Sequence, residues 1–164
     1  MRFSTYWATT IAGVDRVQLN ETIAAGHYTC APETEDRKSR VFDECAMIGL
    51  MTFGRLVKFG LSKRVAADLA CKAQEEFATH RDCLTKIVMA TSGRGETWVA
   101  AEYADTFEKD RPHIDQSHPN LAVSIQINIK SIREQLARHY EGLLAGGHDP
   151  LGTGHTGRAH ILGA

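Results

Sequence analysis

Apolar residues recur along this chain with two different periods, and the change from one to the other comes near Asp82. Phe3, Trp7, Ala8 and Ile11 fall at helical spacing, so residues 3–12 are predicted to form a short helix with Ser4 at its cap. Gly13 follows where the chain must turn sharply, because glycine adopts positive φ without a Cβ clash. Asp15 is placed to cap a second helix over Arg16 to Ala25, closed by Gly26. Its pattern turns Val14, Val17, Leu19 and Ile23 inward and leaves Arg16, Gln18, Asn20 and Glu21 outward. Residues 27–40 hold no sustained period and read as a polar loop, or as a two-stranded flap whose return strand is Arg40-Val41-Phe42. Asp43 then caps a helix through Phe59, whose Ala46, Met47, Leu50, Phe53, Leu56 and Val57 make a wide apolar stripe, and Gly60 ends it. Ser62 caps a fourth helix to about His80, with Val65, Leu69, Ala73 and Phe77 on its inner face.

Beyond Asp82 the period becomes that of strands. Residues 86–91 and 97–103 flank Ser92-Gly93-Arg94-Gly95-Glu96, the pattern of a β-hairpin with a glycine-containing loop. After a polar, proline-bearing connection over 105–120, Val123, Ile125, Ile127 and Ile129 alternate with Ser124, Gln126, Asn128 and Lys130, as a half-buried strand does. Ile132, Leu136, Tyr140 and Leu143 mark an amphipathic helix over 131–144. The glycine-rich stretch 146–164 has little to bury and is expected to be disordered. The expected class is α+β: a helical unit over 1–82, then a small unit over 83–145 with about three antiparallel strands and a helix. A two-stranded hairpin is marginal alone, so the third strand and the helix must cover it.

Charge narrows the function classes. The 19 basic and 20 acidic residues nearly cancel, and they cancel again on either side of Asp82, so any nucleic-acid binding must come from local clustering. Cys30, Cys45, Cys71 and Cys83 form no C-x-x-C pair and no secretory signal pattern opens the chain, which predicts free thiols in a reducing cytoplasm. No apolar run approaches the ~18 residues of a membrane span, so no membrane partner is expected. The eight histidines are scattered without H-x-x-x-H or H-E-x-x-H, and neither a metal nor another cofactor is predicted.

Two short helices joined at a glycine, a flap and a packing helix are the parts of a winged helix-turn-helix. Over residues 13–62 their order and spacing resemble the DNA-binding domain of the MerR family. The resemblance is carried by Ala12-Gly13-Val14-Asp15, by Leu19, by Gly26, by Arg40 and Phe42 ahead of an acidic cap, and by Phe59-Gly60-Leu61-Ser62. It covers about a third of the chain, and it implies that the second helix enters the major groove of DNA while the flap grips the backbone. Arg16, Gln18 and Asn20 are then the residues for base edges, since Gln and Asn pair with adenine and Arg with guanine. Arg37, Lys38 and Arg40 in the flap, and Lys63 and Arg64 in the first turn of the fourth helix, are the residues for phosphates. The same side chains would also make an ordinary solvated surface. The chain departs from the family in having Asn20-Glu21-Thr22 where an Arg followed by aromatics is common, and in turning to strands after the fourth helix.

An enzyme is not expected. His113 and His118 bracket Asp115, but no nucleophile or phosphate loop accompanies them, and Ser92-Gly93-Arg94-Gly95 belongs to a hairpin turn. The expected function is sequence-specific binding of double-stranded DNA by a homodimeric transcriptional regulator, in a bacterium or its prophage. A phage excision or packaging protein built on the same winged helix is one alternative. A protein-interaction or ligand-sensing module centred on the 83–145 sheet is the other, and the sequence identifies no effector.

Overall fold

A computed structural model describes residues 1–34, 39–81, 84–92, 97–103 and 121–152. The order is β1 (Arg2–Ser4), α1 (Thr5–Ala12), α2 (Arg16–Ala24), β2 (Val41–Asp43), α3 (Glu44–Lys58), α4 (Lys63–Thr79), β3 (Leu84–Ser92), β4 (Thr97–Tyr103), β5 (Leu121–Asn128) and α5 (Ile129–Ala145). Mixed helices and small antiparallel sheets make the class α+β.

The helix ends follow from local chemistry. The carboxylates of Asp15 and Asp43 accept the amides of Gln18 and Ala46, each at 2.9 Å, satisfying N–H groups that the first turn leaves free. The Ser62 hydroxyl does the same for Val65 at the start of α4. Ser4 differs from the expected cap. Its hydroxyl donates to the Gly152 carbonyl at 2.7 Å instead of capping α1.

Phe3 belongs to a strand and not to the first helix, because β1 pairs antiparallel with β2 in the register Arg2↔Asp43, Phe3↔Phe42, Ser4↔Val41. Pairing the two phenylalanines buries both completely. The return strand that ends the 27–40 loop therefore zips onto the start of the chain, and the two-stranded flap expected within that loop is not what β2 forms.

α3 and α4 pack side by side as the body of the fold, α3 being buried along almost its whole length. The buried line of α4 runs through Ala66, Leu69, Ala70, Ala73 and Phe77. Val65, expected on that line, lies at its edge in the first turn and is 48% exposed.

The second sheet has the order β4-β3-β5, all antiparallel, with Ile87↔Ala101 and Ile87↔Ile127 in register. This matches the predicted hairpin and alternating strand, except that Ile129 starts α5 instead of ending β5. Ile127, Ile129, Ile132 and Leu136 share one hydrophobic core with Phe3, Met47, Ile48 and Phe77. Across that core Arg133 pairs with Glu44 at 3.0 Å, Arg55 donates to Gln135 at 2.6 Å, and the Phe3 and Tyr140 rings meet edge to face.

Residues 146–152, expected to be disordered, carry structure. The Pro150 carbonyl accepts the Ser4 amide at 2.8 Å, and Trp7 donates its indole N–H to the Asp149 carbonyl at 3.1 Å while its ring meets that of His148 at a tilt of 50°. A short strap with one buried proline thus fastens the end of α5 to β1 and α1. Residues 153–164 lie outside the described residues, as do Gly93–Glu96 and the 105–120 connection with His113, Asp115 and His118.

The expectation of free thiols fails for two cysteines. Cys30 and Cys71, 41 residues apart, are joined as a disulfide with their Cα atoms 5.3 Å apart. The loop after α2 folds back onto the middle of α4, a juxtaposition that no sequence spacing announces. Cys45 is a buried free thiol that accepts a hydrogen bond from Arg81, and Cys83 lies outside the described residues. Among the described residues no helix is long and apolar enough to cross a membrane.

Candidate nucleic-acid interface

α2 is the most exposed helix of the N-terminal half, and its position is set at both ends. At the front, Gly13 takes φ 64° and the Val14 amide returns to the Thr9 carbonyl at 3.0 Å, so the chain reverses in two residues. The corner rests on Gly54 of α3, where a Cβ would come within 2.6 Å of the Ala12 carbonyl oxygen and 2.8 Å of Val14 Cγ2. In the middle, Leu19 and Thr22 turn inward at 1% and 3% exposure, the Thr22 hydroxyl donating to the Gln18 carbonyl at 2.7 Å. At the rear, Gly26 takes φ 71° and Tyr28 plunges into the core, its ring edge-on to Phe53 at 5.4 Å.

Arg16, Gln18 and Asn20 are all exposed, as expected. They do not share one face. At about 100° per residue, Arg16 and Asn20 lie a turn apart on one flank, while Gln18 sits ~160° round the helix on the other. Opposite the buried Leu19 and Thr22 stand Val17 and Glu21, which project furthest. Val17, expected to face inward, is 64% exposed. The residues of α2 that sequence reasoning missed are therefore Val17 and Glu21. A helical wheel drawn around Leu19 and Thr22 finds them; one drawn around Val14 and Val17 does not.

The phosphate candidates take separate places. Lys63 lies beside α2, its Nζ 3.8 Å from the Glu21 carboxylate, with both side chains well exposed to solvent. An ion pair this open contributes little to stability, which leaves the ammonium free to exchange Glu21 for another anion. Arg64 is exposed in the same first turn of α4. Arg40 stands at the other end of α2. Its Nε donates to the Pro32 carbonyl at 2.9 Å, and its own carbonyl accepts the Thr5 hydroxyl at 3.1 Å. With Ile23, Gly26, Tyr28, Pro32 and Glu33 it lines an open cleft of about 440 Å³. Arg37 and Lys38 lie outside the described residues.

Arg16 thus lies on α2, Lys63 pairs with its Glu21, and Arg40 and Glu33 line the cleft at its C-terminal end. Donors for phosphates and groups for base edges are available on and beside α2, without the strongly positive field of a basic protein. Among the described residues no group of three or more His, Cys, Asp or Glu can hold a metal ion. Compared with known proteins, the chain matches no family model and no curated sequence.

Proposed function

We propose that this protein binds double-stranded DNA through α2, as a cytoplasmic homodimeric transcriptional regulator of a bacterium or its prophage. The observation that carries the reading is a short helix held at both ends by the core, exposed along Val17, Asn20 and Glu21, with Lys63 paired to Glu21 and Arg40 in the cleft at its C-terminal end. The MerR-like spacing of the two short helices, the glycine turn and the packing helix over 13–62 supports it, although β2 pairs with β1 instead of forming a flap. A nine-residue helix is long enough for the few base pairs that one half-site presents in a major groove. Homodimerisation would supply the second half-site about one turn, ~34 Å, away. The sheet offers it two strand edges, on β4 and β5, that pair with no other strand among the described residues.

Contact with a protein is the second reading, favoured by Val17 and by Phe59, which is 78% exposed at the end of α3. One experiment separates the two. The purified protein is mixed with a pool of random duplexes at two salt concentrations, and what it retains is sequenced. The DNA reading expects a retained motif with paired half-sites. The three described phosphate candidates of each protomer, Arg40, Lys63 and Arg64, make six in the dimer and give a log–log salt slope of about −5, at ~0.9 per neutralised phosphate. The Arg16→Ala/Gln18→Ala/Asn20→Ala variant loses the motif. No retention at low salt refutes DNA binding and assigns α2 to a protein. A single operator bound by a dimer fits regulation, and larger rings would instead point to packaging.

A further inference from the structure

The Cys30–Cys71 disulfide fastens the loop leaving α2 to the third turn of α4. Two weaker ties accompany it. The Cys30 amide donates to Cys71 Sγ at 3.2 Å, and one turn further along α4, Gln74 Nε2 donates to the Cys30 carbonyl at 3.0 Å. The same closure forces two polar atoms into the core without a hydrogen-bond partner among the described residues, the Tyr28 hydroxyl and Gln74 Oε1. Both crowd Gly49 of α3, where a Cβ would lie 3.1 Å from the Tyr28 oxygen and would collide with Gln74 Oε1.

Buried polar atoms left unpartnered favour any state that returns them to water. The segment 27–34 is therefore held shut by its covalent link and by the packing of the Tyr28 ring on Phe53, against a pull from the unpartnered atoms. Both cysteines are partly exposed and neither is sealed in the core, as access of a small reagent to the bond requires.

We propose that Cys30–Cys71 is a thiol–disulfide exchange site for a low-molecular-weight thiol, and that its reduction opens the segment 27–34. The chemistry balances as two successive displacements. A thiolate attacks Cys30 Sγ, forming a mixed disulfide, and Cys71 Sγ leaves with the electron pair. The Cys30 N–H already points at the departing sulfur and stabilises the thiolate that forms. A second thiolate attacks the small-molecule sulfur of the mixed disulfide, releasing Cys30 as thiolate and the oxidised small disulfide. Two small thiols are oxidised, the protein disulfide is reduced by two electrons, and the protons of the small thiols pass to Cys30 and Cys71. The reverse sequence, with the small disulfide as oxidant, closes the loop again. Because 27–34 directly follows α2 and contains the Pro32 carbonyl that holds Arg40, opening loosens the rear of the proposed DNA interface. That last consequence rests on the DNA reading; the exchange itself does not.

The full-length protein is equilibrated in native buffer with mixtures of reduced and oxidised glutathione, then alkylated and weighed intact. The expected result is a reversible gain of two alkylated thiols, with the glutathione adduct on Cys30 in a Cys71→Ser variant. Hydrogen exchange at 27–34 should accelerate at least about tenfold in the reduced protein while α3 stays protected, the mark of a local and not a global opening. The Cys30→Ser/Cys71→Ser double variant should show the same fast exchange without glutathione. If the pair reacts only after denaturation, or if reduction leaves exchange at 27–34 unchanged, the proposal is overturned. If exchange and opening occur as expected but neither redox state retains any duplex from the random pool, the exchange site stands and the DNA reading falls.

Discussion

Gly54 is the position where a single methyl group tests how α2 is held. A glycine inside a helix ordinarily costs up to ~1 kcal/mol relative to alanine, so Gly54→Ala begins with a gain of that size. Against it stands the geometry of the corner. The added Cβ would lie 2.6 Å from the Ala12 carbonyl oxygen and 2.8 Å from Val14 Cγ2, well inside van der Waals contact. The first of these is backbone and cannot rotate away, so the α1–α2 corner must retreat from α3. Overpacking of this kind costs ~1–3 kcal/mol, which cancels the helical gain and leaves a net loss of up to about 2 kcal/mol. In a chain of this length, 164 residues, that lowers Tm by up to about 8 °C, at roughly 2–4 °C per kcal/mol. Gly142→Ala is the matched control, since Gly142 is exposed on α5 with nothing within 4 Å of its added Cβ. It should gain about 0.5–1 kcal/mol. Urea and thermal melts of both variants give the answer. If Gly54→Ala gained as much stability as Gly142→Ala, the corner would not be seated on α3 and the account of α2 would fail.

Other perturbations probe the same region. Leu19→Ala should cost ~2–5 kcal/mol in urea unfolding, because its side chain is almost wholly buried; a loss below ~1 kcal/mol would contradict its role as the inner anchor of α2. Asp15→Ala removes the cap that accepts the Gln18 amide and should cost ~1 kcal/mol, with faster hydrogen exchange in the first turn of α2. Tyr28→Phe should stabilise the protein by roughly 1 kcal/mol or more, since it deletes a buried hydroxyl that has no partner among the described residues. Burial pushes the Tyr28 phenol well above its ordinary pKa, so below about pH 10 both folded and unfolded states keep the proton and stability is flat. As the pH climbs past ~10 only the unfolded chain ionises, and stability falls. The Phe variant should lose less over that window, and an unchanged alkaline decline would show that Tyr28 is not the titrating group.

What was legible in the sequence was local. Gly13, Asp15, Gly26, Asp43, Gly60 and Ser62 sit at the turns and caps expected of them, because a cap depends only on residues three or four positions away. The strand holding Ile125 and Ile127 was legible too, since strict alternation has no helical reading. The β1–β2 pairing was not, because a three-residue strand carries no period and its partner lies beyond two helices. Val17 misled because α2 has apolar residues on several sides, so its pattern alone does not pick out the buried face. The Cys30–Cys71 link and the strap around Pro150 are tertiary events between segments without pattern of their own. At the candidate interface, exposure of Arg16, Gln18 and Asn20 was foreseen, whereas their division between two flanks followed only once Leu19 and Thr22 fixed the rotation of the helix.

The direction in which α2 points is therefore a property of its surroundings. A helix of nine residues is too short to be stable alone, and this one buries only Leu19 and Thr22 along its length. Its front is seated on α3 through Val14 and Gly54. Its rear is tied to α3 through Tyr28 against Phe53, and to α4 through Cys71 and Gln74. α3 and α4 are themselves locked together by the most extensive helix packing in the fold. Front and rear thus refer to one rigid frame, and the outward residues Val17, Asn20 and Glu21 contribute almost nothing to holding it. That separation suits a recognition surface: the outer face can change chemistry without moving, while small changes at Gly54 or Cys71 move it without touching its chemistry. It also explains how a chain with no net positive field could still present an ordered set of donors, since a fixed helix with Lys63 and Arg40 at its borders relies on placement where a basic protein relies on charge.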